Sequence, residues 1–128
     1  MTKTLNGIVT IMVSDMDAAI AFYTGTLGFT LKNRVTVDVP PMKEVIYLTL
    51  GDTMIELISS ENPSPKSGEA MQVGYRAIAL EVSDMVKAVE YLQGKGVSMT
   101  KGPVDLGTSI RGEIQDPDGL IIELREWK

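Results

Sequence analysis

From Gly7 to Val13 the chain reads GIVTIMV, a β-branched and largely apolar run that predicts a strand. Ser14 or Asp15 can then accept bonds from the free N–H groups of a helix start. Behind them Met16, Ala19, Ile20 and Tyr23 recur at helical spacing and make one apolar face. Gly28, in TLGF, suits the left-handed residue that closes such a helix. Three more strands follow in the pattern: RVTVDV (Arg34 to Val39), EVIYLTL (Glu44 to Leu50) and TMIELIS (Thr53 to Ser59).

The second half repeats the order. YRAIALEV (Tyr75 to Val82) predicts a strand, Ser83 or Asp84 a cap, and Met85, Ala88, Val89 and Leu92 an apolar helix face that Gly94 and Gly96 end. VSMT (Val97 to Thr100), SIRGEIQ (Ser109 to Gln115) and LIIELRE (Leu120 to Glu126) predict the remaining strands. Asp116-Pro117-Asp118-Gly119 between the last two is a hairpin signal, because Pro fixes one turn dihedral and Gly accepts positive φ. VSDM occurs at Val13 and again, 69 positions on, at Val82; IEL occurs at Ile55 and again, 67 positions on, at Ile122. Two anchors at nearly one offset mark an internal duplication. The expected class is α+β, two tandem βαβββ modules, the first over about 1–59 and the second over about 72–128. The Pro, Ser and Gly content of residues 60–71 predicts a linker between them.

Composition narrows the chemistry. A chain of 128 residues fits one domain, able to bury about 68% of its unfolded surface. No run approaches the roughly 20 apolar residues a bilayer span needs, and the start lacks a signal peptide's order, so a cytoplasmic protein without membrane partners is expected. A net charge of −5 argues against nucleic acid, whose phosphates need clustered Lys and Arg, and suits a cationic ligand. With no Cys there is no disulfide or thiolate site, and with no His every imidazole base or ligand is excluded.

The duplicated pattern, above all VSDMDAAIAFYTGTLGF (Val13 to Phe29) and DPDGLIIEL (Asp116 to Leu124), resembles the vicinal oxygen chelate superfamily of glyoxalase I, extradiol dioxygenases and fosfomycin- and bleomycin-resistance proteins. The resemblance covers almost the whole chain. It implies a curved, cup-like mixed sheet with helices on its outer face and a ligand in the cup. Metal-dependent members place a His seven residues before the helix-starting Asp, and a Glu in the IEL motif. Those positions are Ile8 and Ala77 for the histidines, Glu56 and Glu123 for the glutamates. The glutamates match and the histidines do not. No cofactor is therefore expected, or at most a weak divalent metal held through Glu56 and Glu123 with waters.

Strand alternation nominates the lining. If Ile8 faces the cup, so do Thr10 and Met12, while Val9, Ile11 and Val13 face the helix. If Ala77 does, so do Ala79 and Glu81. Met54 shares a face with Glu56 and Ile58, Arg125 with Glu123 and Ile121, and Tyr47 with Thr49. Candidate catalytic residues are Glu56 and Glu123, as an acid–base pair whose shared desolvation separates their affinities for protons. Each could instead bind a cationic or hydrogen-bond-donor ligand, or bond Arg125, Tyr47 or a backbone donor as a relic of a metal-binding ancestor. Arg76, Lys87, Glu90 and Lys95 read as solvated faces, and VDVPPMKEV (Val37 to Val45) as a rigid rim loop. Trp127 reads equally as interface or free surface.

The leading expectation is a metal-free small-molecule binder of the bleomycin-resistance type, acting on a hydrophobic or cationic compound. Such proteins sequester drugs between protomers, so a homodimer is implied, though 5% aromatic residues is low for a stacking groove. The rival is a glyoxalase-type lyase or isomerase working through Glu56 and Glu123.

Overall fold

A computed structural model describes residues 7–128. The first six residues of the expected module one lie outside them. The chain divides into two compact units, one ending at Pro65 and the other running from Lys66 to Lys128, so the division falls inside the expected linker.

Each unit is a four-stranded mixed sheet with one helical segment. In the first, β1 (Val9–Met12), β2 (Thr30–Val39), β3 (Met42–Leu50) and β4 (Thr53–Ser60) stand in the order β1-β4-β3-β2. In the second, β5 (Ala77–Glu81), β6 (Lys101–Asp105), β7 (Ser109–Gln115) and β8 (Ile121–Trp127) stand in the order β5-β8-β7-β6. The first strand of each unit lies parallel beside its fourth, and the other neighbours are antiparallel. The sequence repeat is thus a repeat of topology.

Both helices start as the sequence directs. Asp15 Oδ1 accepts from Ala18 N–H at 3.1 Å and Asp84 Oδ1 from Lys87 N–H at 3.1 Å, opening α1 (Met16–Ile20) and α2 (Met85–Gly94). At α2 a β8 carboxylate adds to this, since Glu126 Oε1 accepts from Met85 N–H at 2.6 Å, where the helix dipole favours negative charge. The α2 end closes with Val97 N–H on Leu92 O and Gly96 N–H on Gln93 O, with Gly96 at φ 79°. The first helix differs from expectation. After Ile20 it widens into a π-helical stretch over Ala21–Thr26, where Leu27 N–H bonds Phe22 O, and Thr24 Oγ1 donates to Ile20 O at 2.6 Å. The wide turn sets Tyr23 edge-on to both Phe22 and Phe29 and buries it.

One face of each sheet is the core. Ile11, Val13, Ile46, Leu48, Ile55 and Leu57 are buried in the first unit, with Met16, Ala19 and Tyr23 from the helical segment. Ile114, Ile122 and Leu124 are buried in the second, with Met85 and Leu92. Their strand neighbours Met12, Tyr47, Met54, Glu56, Glu123 and Arg125 are on the opposite, more open side. Val9, expected to face the helix, is exposed where β1 begins.

Two expectations need correction. Val37–Val45 is no loop, because β2 runs to Val39, β3 starts at Met42, and only the prolines occupy the turn, where their missing N–H groups cost nothing. The sixth strand is Lys101–Asp105 instead of Val97–Thr100. The α2 closure takes the N–H of Val97, and Pro103 is accommodated within β6 because β6 is an edge of its sheet.

Gly102 (φ 65°) offers a test of this edge: an added Cβ would meet Arg111 O at 2.8 Å. Gly102→Ala is expected to cost about 2 kcal/mol or more in urea unfolding, from left-handed strain plus overlap. Gly94→Ala, on a helix with open space around the site, is expected to be neutral or to stabilise by up to about 1 kcal/mol.

Candidate functional site

In the first unit β4 is flanked by β1 and β3, so Glu56 and Ile58 on its open face have a registered neighbour on both sides. Register places Thr10 and Tyr47 directly opposite Glu56. Thr10 Oγ1 donates to Glu56 Oε1 at 2.8 Å. The Tyr47 hydroxyl also donates to Glu56, and its phenol is raised above the ordinary value by that bond first, then by desolvation and by the Glu56 charge. Met54 precedes Glu56 by two positions and Ile58 follows it by two, with Met12 opposite Ile58, so the neighbours of Glu56 along its own strand are apolar. Ile8 is exposed just ahead of β1. The partners of Glu56 among the described residues are two neutral hydroxyls.

The equivalent face of the second unit is charged. Ala79 and Glu113 flank Glu123; Glu81 and Arg111 flank Arg125. Arg125 donates from Nε and one Nη to Glu123 Oε1, at 2.9 and 2.6 Å. Its guanidinium lies over the Trp127 ring at 5.2 Å, and Trp127 Nε1 donates to Glu81 Oε1 at 2.6 Å. Arg76 donates to Glu113 Oε2 at 2.7 Å. Ala77 sits opposite Ile121 and contributes no polar atom. Beside this face the segment ahead of β5 bounds a groove of about 610 Å³, lined in part by Tyr75, Arg76, Lys101 and Glu113.

Of the nominated residues, Thr10, Met12, Tyr47, Met54 and Glu56 belong to the first unit and Ala77, Ala79, Glu81, Glu123 and Arg125 to the second. Sequence reasoning passed over Arg111 and Glu113, and Arg76, exposed as expected, also pairs with Glu113. The signal lay in RGE of β7 and ELR of β8, which read in opposite directions and so align like with like in an antiparallel pair.

A glyoxalase-type transition-metal centre does not fit these residues. The first-strand positions are hydrocarbon, Glu123 is held by one guanidinium with a second nearby, and both would repel a divalent ion. Among the described residues no three His, Cys, Asp or Glu side chains gather in one place.

This doubled fold and its paired glutamates identify the lineage. A model of the Glyoxalase/Bleomycin resistance protein/Dioxygenase superfamily matches residues 6–124, and the chain belongs to that family. Lactoylglutathione lyase of Salmonella typhimurium is 35% identical over 123 residues, covering 91% of this chain and 87% of that protein. A probable chloroplastic lactoylglutathione lyase of Arabidopsis thaliana is 34% identical over 89% of this chain, which spans only 33% of its length. Among solved structures, a glyoxalase family protein from Enterococcus faecalis superposes with a TM-score of 0.84 at 24% identity, covering 97% of this chain and 98% of that one. No helix among the described residues is long and apolar enough to cross a membrane.

The Tyr47–Glu56 bond predicts a pH signature. Because the folded phenol is raised, its contribution to stability is complete below the unfolded value of about 10 and is lost as pH climbs through the higher folded one. In a phenolate absorbance titration Glu56→Gln should bring the Tyr47 step down toward the ordinary value, and an unchanged titration would contradict the bond.

Proposed function

We propose that the protein is a cytoplasmic, homodimeric small-molecule binder that sequesters or senses a hydrophobic compound without a transition metal, setting a cationic or hydrogen-bond-donor group of that compound against Glu56. The observation carrying this reading is the state of Glu56. It is a carboxylate on an apolar face whose partners are neutral hydroxyls, so its charge is left for a ligand. Thr10 and Tyr47 hold the carboxylate in place, and Ile8, Met12 and Met54 supply adaptable apolar contact. In the second unit Ala77, Ala79 and Glu81 offer small or polar contacts, and Arg125 holds Glu123 away from metal.

A thermal-shift panel of hydrophobic amines should yield stabilising compounds, and Glu56→Gln should weaken the best of them about tenfold, the value of one charge-assisted bond. An empty panel, or equal binding by the variant, would remove the reading. Sedimentation at micromolar concentration should return a two-chain mass.

The Salmonella relative favours a second reading, a glyoxalase-type lyase or isomerase. Glu56 or Glu123 would then move a proton at the carbon beside a carbonyl, alone or with a weakly held oxygen-liganded divalent ion. Turnover of 2-oxoaldehyde–thiol adducts that disappears in Glu56→Gln or Glu123→Gln would establish it, and absence of turnover would retire it.

A further inference from the structure

We infer that the open face of the second unit carries an anion site at Arg111, built to take the carboxylate of a small apolar or aromatic monocarboxylic acid. Two rows of like charge stand side by side there. Glu113 pairs directly with Glu123, and Arg111 directly with Arg125, an arrangement that costs stability unless the charges find partners elsewhere. Three of the four do. Arg125 closes on Glu123 with two bonds to one oxygen, and Arg76 reaches over to Glu113.

Arg111 has only a long ion pair with Glu123 and no hydrogen-bonded carboxylate. Its Nε donates to the neutral Ser109 Oγ at 3.1 Å, and its Nη1 lies 3.9 Å from Glu123 Oε1, beyond hydrogen-bond reach. That oxygen already accepts both Arg125 bonds. The Arg111 Nη donors thus face an acceptor that is spent, and the side chain is 38% exposed, open enough to be reached. A guanidinium fork with free donors matches the two oxygens of a carboxylate. The Ser109 bond fixes its plane, and Ser109 is itself fully buried.

Charge and shape narrow the ligand class. Arg76, Arg111 and Arg125 stand against Glu81, Glu113 and Glu123, so the face is balanced overall, and the long Arg111–Glu123 approach leaves room for a monoanion and no more. A phosphate dianion would leave excess negative charge beside Glu113 and Glu123, in a chain of net charge −5. Trp127, stacked on Arg125 and 53% exposed, presents an indole surface next to the cations for an apolar or aromatic body. Every group in the site belongs to the second unit, and Arg111→Gln leaves Glu56 unchanged, so a failure here and a failure of the Glu56 reading are told apart by which variant alters binding.

Trp127 is the only tryptophan in the chain, which gives the site its own reporter. Titration of the whole protein with benzoate, followed by tryptophan fluorescence and calorimetry, should give a saturable one-site change. Arg111→Gln should weaken it at least tenfold and Arg111→Lys by less, because the charge stays and the fork is lost. Glu123→Gln should tighten it, by removing the competing negative charge. Folding of each variant is checked by its thermal midpoint. The inference is overturned if benzoate gives no saturable change, if Arg111→Gln binds like the parent, or if inorganic phosphate binds as tightly as benzoate.

Discussion

The parallel pairing of the first strand with the fourth in each unit is the constraint on which the remaining geometry depends. It places the IEL strand inside the sheet, with a hydrogen-bonded neighbour on either side. Strand alternation then sends Ile55 and Leu57, or Ile122 and Leu124, into the core and the intervening Glu out of it. A one-residue slip would exchange these faces and bury a carboxylate in hydrocarbon, so core packing enforces the register. The backbone bonds continue beyond the paired residues, from Val13 N–H to Ile58 O and from Val82 N–H to Arg125 O, which ties each helix start to the same strand.

Given that shared frame, the two units diverge through their side-chain neighbours. Thr10 and Tyr47 solvate Glu56 with hydroxyls and leave its charge in place. Arg125 neutralises Glu123, whose side chain is only 14% exposed. A largely buried carboxylate so close to a guanidinium is costly to strip of its partner, so Arg125 and Glu123 act as one element of the face. Duplication produced equal positions, and substitution gave them opposite electrostatic character.

Much of this was legible in the chain itself. The VSDM copies marked the caps at Asp15 and Asp84, and the IEL copies marked β4 and β8, because capping and period-2 alternation are local properties. Once the resemblance set Ile8, Ala77, Glu56 and Glu123 toward the cup, parity placed Thr10, Met12 and Ala79 on the same face. What escaped depended on partners distant in sequence. The Arg111–Glu113 row is visible only once β7 is set in register against β8. Pro103 fits within a strand only because β6 lies at an edge. Trp127 gains its role because β8 extends one residue past Glu126 and brings the indole over Arg125. The π-helical widening after Ile20 has no counterpart in the apolar spacing, which fits a regular helix equally well.

Glu56 and Glu123 each have donors from the protein, hydroxyls at one and a guanidinium at the other, where a transition-metal centre would need both carboxylates free. Calorimetric titration of the chelator-treated protein with nickel(II) and zinc(II) tests this most directly. The parent protein should show no stoichiometric uptake. One equivalent bound with sub-micromolar affinity, and lost on Glu56→Gln or Glu123→Gln, would contradict it.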